Sequence, residues 1–203
     1  MNLKETYNRI AWDWFKDHTQ DTWWIQGTEK FISLLPKRAT VLDVGCGAGV
    51  KTRFLKEKEL DVVGVDFSEE MIVIAKEQDP TGTYFVKDIT KTLDFDKTFD
   101  GVFAQAVLLH ISKSDIVSVL KNLSSILKDD GYLYLAVKGQ WEGGPEEHVL
   151  KENDYGYEYE RFFSYYTLEE MKQYLAEVGF SSVFEHQEIV GRTNWIQVIS
   201  TRS

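Results

Sequence analysis

The chain has 203 residues, 43% hydrophobic and 14% aromatic, enough for one sizeable core but short for two independent domains. Its 23 Lys and Arg face 33 Asp and Glu, and the net charge of -10 argues against broad attachment to nucleic acid or an anionic membrane surface. No run of about 18 apolar residues occurs, so a membrane-spanning helix is excluded on length.

Taken in chain order, Tyr7, Ile10, Ala11, Trp14, Phe15 and His18 form a helical stripe near the start, where Met1 to Glu5 leads into polar sequence and not into a signal peptide's apolar segment. From Thr40 to Val137 short apolar runs alternate with helix-period segments, the pattern of parallel strands linked by crossover helices. Thr40 to Val44 reads as a buried strand ending in Gly45-Cys46-Gly47-Ala48-Gly49. A short helix follows with Val50, Phe54 and Leu55 inward. Asp61 to Val65 is the second strand, ending at Asp66, after which Ser68 caps a helix with Glu69 and Glu70 in its first turn.

Tyr84 to Val86 and Phe99 to Ala104 are further strands, joined by an irregular connection. Ser112 and Asp115 have the spacing of a capping box, with Ile116, Val119, Leu120, Leu123 and Leu127 on one helical face and Asp129-Asp130-Gly131 as its stop. Tyr132 to Val137 is the fifth strand. Gly139 to Glu160 has no usable period and reads as a long connection. Thr167 and Glu170 form a second capping box ahead of a helix stopped by Gly179. Val183-Phe184 and Trp195 to Ile199 supply two last strands, antiparallel to each other.

A strand, a glycine loop, a helix and a second strand ending in an acid describe the nucleotide-binding half of a Rossmann-like fold. A dinucleotide site carries G-x-G-x-x-G, and here Val50 stands where the last glycine belongs. The stretch Val41 to Gly49 closely resembles the first motif of class I S-adenosylmethionine-dependent methyltransferases. Val63 to Ser68, Val86 to Ile89, Phe99 to Val102 and Leu127 to Leu133 resemble that family's later motifs, in order, over about half the chain. The small-molecule branch of the family, of the methyltransferase type 11/25 kind, is the nearest in character.

The resemblance implies an α/β fold: a Rossmann-like, mostly parallel seven-stranded sheet with helices on both faces and an antiparallel C-terminal strand. It implies S-adenosyl-L-methionine as cofactor, with Gly45 and Gly47 admitting it closely to the backbone, beside Cys46 and Phe67. Asp66 would accept both ribose hydroxyls or, alternatively, cap a helix. Asp88 would accept from the adenine amine beside the Ile89 N–H. Asp43 would brace the glycine loop or reach the cofactor through water, and Gln105 would face its methionine end. Cys46 reads as a buried filler and not a nucleophile, and as a lone cysteine it forms no intramolecular disulfide.

One domain is expected: a helical cap over 1–37, a cofactor-binding core over 38–138, an acceptor-side insertion over 139–166, and a C-terminal helix and strands over 167–203. Aromatic residues that could line an acceptor pocket are Tyr7, Trp14, Trp24, Trp141 and Tyr157, although core packing explains Tyr7 and Trp14 as well. His110 and His148 are the candidate bases, with a capping or packing histidine as the alternative for His110. No metal ligand set is read. The position after the fourth strand reads Gln105-Ala106-Val107-Leu108, without the Asn/Asp-Pro-Pro-aromatic tetrad of nucleobase amine methylation. The expectation is therefore a cytoplasmic enzyme, monomer or homodimer, transferring a methyl group to O, N or S of a small-molecule acceptor, with neither nucleic acid nor membrane as partner. An NAD-dependent oxidoreductase and a cofactor-binding module without activity remain the alternatives.

Overall fold

The structure, a computed structural model, describes residues 2–202. Helix α1 (Leu3–His18) opens with a capping box in which the Glu5 N–H donates to Asn2 while the Glu5 carboxylate accepts from the Asn2 N–H. Next come α2 (Ile25–Leu34), β1 (Thr40–Val44), α3 (Val50–Glu57), β2 (Asp61–Asp66), α4 (Glu69–Gln78) and β3 (Thr83–Val86). Then β4 (Phe99–Gln105), a 3-10 turn at Leu108–His110, α5 (Ile116–Ser125) and β5 (Leu127–Lys138) follow. A hairpin of β6 (Glu147–Glu152) and β7 (Tyr159–Ser164) precedes α6 (Leu168–Glu177), β8 (Phe180–Val190) and β9 (Thr193–Arg202).

Seven strands form one sheet in the order β3-β2-β1-β4-β5-β9-β8. The first five are parallel, β9 runs antiparallel to β5, and β8 runs antiparallel to β9. This is the expected Rossmann-like architecture. Side-chain alternation along the strands assigns the two faces. Leu42 and Val44 pack with Ile116, Val119, Leu120 and Leu123 of α5 and with Met171 and Leu175 of α6. On the opposite face Val41 packs with Phe31 of α2 and Leu55 of α3, and Phe103 stacks on Tyr134 at 4.5 Å. Chain order reverses between β1 and β4, so their carboxyl ends diverge into a crevice.

The structure departs from the sequence reading in four places. Helix α5 starts at Ile116, with Asp115 as its cap residue but in a helical conformation and without a side-chain cap bond. The Ser112 hydroxyl donates to the Asp115 carboxylate at 2.8 Å, so the spaced pair makes a local contact and not a capping box. Leu127 leaves the helical face because it pairs with Phe99 in the β4–β5 ladder, and Asp129-Asp130-Gly131 is taken up in a bulge there. Residues 139–160 are not an unstructured connection: they contain all of β6 and the first two residues of β7, which pair as a separate two-stranded sheet. Aromatic residues on both faces of β7 hide the period of two. The Val183-Phe184 strand extends over all of β8, whose outer half is largely exposed and polar.

The true capping box at Thr167 and Glu170, where the Glu170 N–H donates to the Thr167 hydroxyl at 3.1 Å, gives a contrast with Ser112. Thr167→Ala is expected to lower unfolding stability by about 1 kcal/mol. Ser112→Ala is expected to stay within about 0.5 kcal/mol of the parent. Chemical denaturation midpoints at constant m-value decide the matter, and equal losses would remove the distinction.

Candidate functional site

The crevice at the carboxyl ends of β1, β2, β4 and β5 is a cavity of about 600 Å³, within the range of ligand sites. Its floor is the glycine loop. Gly45, Gly47 and Gly49 all have positive φ, at +66°, +52° and +76°, and a β-carbon on Gly45 would lie 2.5 Å from Val107. An L-residue there meets both strain and a clash.

Asp66, the last residue of β2, holds this loop in place. Its Oδ2 accepts the Gly47 N–H and its Oδ1 the Ser68 N–H, both at 2.9 Å. Burial raises its pKa to about 6, against the pull of those backbone N–H groups. Asp43 is 2% exposed and accepts from the Thr52 hydroxyl at 2.5 Å, bracing β1 against α3. Burial carries its pKa to about 7. Cys46 is buried, and burial pushes its thiol well above the usual range, which leaves it without thiolate character.

Asp88 Oδ1 accepts from the Thr90 N–H and hydroxyl at 2.9 and 2.7 Å. Ile89 beside it is 7% exposed. Both line the cavity, as do Asp43, Gly45, Cys46, Gly47, Asp66, Phe67 and Gln105. Ala106, next to Gln105 at the end of β4, has a φ of +56°, an uncommon backbone state for a residue with a β-carbon.

At the other end Tyr7 from α1 meets His110. His110 Nδ1 lies 2.7 Å from the Phe162 carbonyl and Nε2 2.7 Å from the Tyr7 hydroxyl. A carbonyl only accepts, so Nδ1 carries the proton and Nε2 receives the Tyr7 O–H. Burial drives the His110 pKa down to about 3. Arg161 of β7 lies beside the Tyr7 hydroxyl and donates Nε and Nη2 to Glu152 at 2.7 and 2.6 Å. Lys138 closes β5 with its ammonium 4.0 Å from the Phe163 ring centre. Trp23 stacks on Trp195 at 3.8 Å and Trp14 on His18 at 4.3 Å; all four line the cavity.

Four of the residues singled out in the sequence lie elsewhere. Trp24 is buried behind the cavity, its indole N–H donating to the Asp21 carbonyl at 2.7 Å and its ring edge-on to Phe54; Trp23, one position earlier, faces the space instead. Trp141 is 54% exposed and leans on Tyr165. Tyr157 pins the hairpin turn to α1, donating to Asp13 at 2.9 Å beneath the Arg9 guanidinium. His148 is exposed on β6.

Lys51, Lys138, Arg161 and Trp195 also line the cavity and are not singled out by the sequence. A lysine ending an apolar parallel strand was a usable signal for Lys138, because ligands collect at carboxyl ends of strands. Arg161 carried none, since its strand was not read. Among the described residues no group of three or more His, Cys, Asp or Glu could hold a metal ion, and no helix is long and apolar enough to cross a membrane.

Compared with known proteins, the sequence profile described as "Methyltransferase domain" matches residues 17–184. The chain belongs to the methyltransferase-domain family. This methyltransferase domain is 27% identical to phosphoethanolamine N-methyltransferase 1 of Zea mays, over 90% of the chain and 43% of that protein. It is 30% identical to a ubiquinone biosynthesis O-methyltransferase of Coxiella burnetii, over 60% of the chain and 58% of that protein. The chain thus spans about half the length of the curated relatives it matches. Among solved structures, the Burkholderia thailandensis 1,6-didemethyltoxoflavin-N1-methyltransferase, holding 1,6-didemethyltoxoflavin and S-adenosylhomocysteine, superposes with a TM-score of 0.79 at 17% identity. The overlap covers 99% of this chain and 87% of that one, and the likeness is one of fold.

The tautomer of His110 is directly testable. Nitrogen NMR of the imidazole is expected to show the neutral, Nδ1-protonated ring throughout the pH range in which the methyltransferase domain stays folded above about 4, consistent with a pKa near 3. Tyr7→Phe removes the donor to Nε2 and moves that titration upward. An imidazolium at neutral pH in the parent would refute the assignment.

Proposed function

We propose that the chain catalyses S-adenosylmethionine-dependent transfer of a methyl group to O, N or S of a small-molecule acceptor. The observation that carries this reading is the glycine loop, tied by Asp66 to β2 at the crevice where the strand order reverses. The relatives and the structural neighbour all have methyltransferase names, and two of these name a small-molecule acceptor, phosphoethanolamine and 1,6-didemethyltoxoflavin.

The residues present fit the cofactor. Asp66 uses one lone pair on each oxygen for backbone N–H groups and retains the others for two ribose hydroxyls. Asp88 retains Oδ2 for the adenine amine beside Ile89. Asp43, Gly45, Cys46, Gly47, Phe67 and Gln105 would complete the donor end. The bound cofactor supplies an electrophilic methyl group on a sulfonium. The protein's part is alignment, which can be worth roughly 7–11 kcal/mol.

Tyr7, Trp14, Trp23 and Trp195 exclude water around the acceptor. His110 is proposed as a positioning residue that fixes the Tyr7 hydroxyl. A base of pKa near 3 is roughly 5 kcal/mol short of one matched to neutral pH, so it does not take a proton from an unactivated acceptor. In the proposed organisation residues 1–37 cap the site, 38–138 bind the cofactor, 139–166 wall the acceptor and 167–203 complete the sheet. A cytoplasmic monomer or homodimer fits this reading.

Calorimetry with S-adenosylhomocysteine is expected to show binding that Asp66→Ala weakens by roughly 10- to 100-fold, the value of charge-assisted hydrogen bonds. No binding by the parent would sink the donor assignment. Since the ribose hydroxyls favour the ionised Asp66, affinity is expected to fall as pH drops through about 6 and binding there to release protons. Asp66→Asn loses that step; a step retained in the variant would assign it to another group. Activity is tested by labelled-methyl transfer into a fractionated metabolite extract. Label in the small-molecule fraction supports the reading, and binding without transfer to any pool would leave a cofactor-binding module.

A further inference from the structure

Cations line the cavity on both sides, but their company differs: Lys4 pairs with Glu69 and Lys87 with Asp94, and Lys51 lies in the field of Asp21 and Asp43. Asp43, Asp66 and Asp88 come from β1, β2 and the segment after β3, on one side of the crevice. Lys138 and Arg161 come from β5 and β7, on the other. Both cations lie against Phe163, the Lys138 ammonium at 4.0 Å and the Arg161 guanidinium at 5.1 Å from its ring centre. A ring face attracts a cation but brings no countercharge.

One carboxylate serves this pair. Glu152 takes Nε and Nη2 of Arg161 in a two-point contact, while Lys138 makes no ion pair among the described residues. The two cations also oppose each other. Burial acidifies the Lys138 ammonium to about 8 and the Arg161 charge adds to that effect. An exposed lysine would turn to water and avoid both costs, but Lys138 is only partly exposed and lines the cavity. A neutral ligand would leave the mutual repulsion in place, whereas an anion between the two groups relieves it and gains charge-assisted hydrogen bonds. The neighbouring wall of Leu109, Phe163, Trp23 and Trp195 suits an apolar or planar body attached to that anion.

Resting on the methyltransferase reading above, we propose that the methyl acceptor carries an anionic group, a carboxylate or a phosphate, that seats between Lys138 and Arg161. The group fixes the acceptor's orientation from the end of the cavity opposite Asp66 and Asp88.

The test uses the full chain saturated with S-adenosylhomocysteine, which fills the donor end, titrated separately with inorganic phosphate and with benzoate while tryptophan fluorescence is followed. At least one anion is expected to bind saturably, and Lys138→Met and Lys138→Gln are each expected to weaken it at least about tenfold. Their affinity for S-adenosylhomocysteine is expected to stay within about twofold of the parent, which also certifies their fold. Lys172→Met, on α6 and paired with Glu185 outside the cavity, leaves anion binding unchanged. Preference for phosphate identifies a phosphate-bearing acceptor and preference for benzoate a carboxylate-bearing one; either result supports the proposal. Saturable binding of neither anion, or unchanged binding in both Lys138 variants, overturns it while the donor reading stands. Failure of the parent to bind S-adenosylhomocysteine at the first step overturns the donor reading itself, and this proposal with it.

Discussion

The carboxylate of Asp66 bridges two segments that share no strand ladder: the glycine loop, through the Gly47 N–H, and the start of α4, through the Ser68 N–H. Much of the site follows from that bridge. It fixes the loop conformation that three positive-φ glycines permit and holds β1 and β2 in register at the crevice. The cost is a carboxylate taken out of water, visible in its raised pKa. Asp43 repeats the arrangement one strand away, bonded to Thr52 of α3. Two buried acids thus shape one concave surface, and neither has a cationic partner within ion-pair distance among the described residues.

The parts legible in the sequence were those whose signal is local. The apolar runs of β1, β2, β4 and β5 are buried on both faces, so they read as continuous hydrophobic stretches bounded by glycine and acid. The capping box at Thr167 and the cap at Ser68 were visible because the residues that make them lie three apart. Ser112 and Asp115 show the limit of such patterns: the spacing is right, but a turn places one side chain on the other before the helix begins.

What could not be read depended on tertiary placement. Trp23 and Trp24 are adjacent and identical, and only the angle at which α2 enters decides which faces the cavity. Arg161 becomes a site residue because β7 pairs with β6 and turns it toward Tyr7, contacts 154 residues apart in the chain for the nearby Thr6 hydroxyl and Glu160 carbonyl. The tautomer of His110 is set by a carbonyl 52 positions away. Chemistry at the donor end is thus written in short motifs, and at the acceptor end it is assembled from separated segments.

The β6–β7 hairpin is a sheet of its own, with a tip at Asn153 to Glu158 and a glycine at φ +79° whose added β-carbon would meet nothing. It supplies Arg161 and Phe163 to the cavity, yet none of its rungs belongs to the seven-stranded sheet. Changes of length or residue at this tip would leave the ladder that carries the glycine loop and Asp66 intact. A lineage can therefore alter this wall of the cavity without rebuilding how the chain folds, so divergence should concentrate in this hairpin while the opposite side of the crevice stays the same.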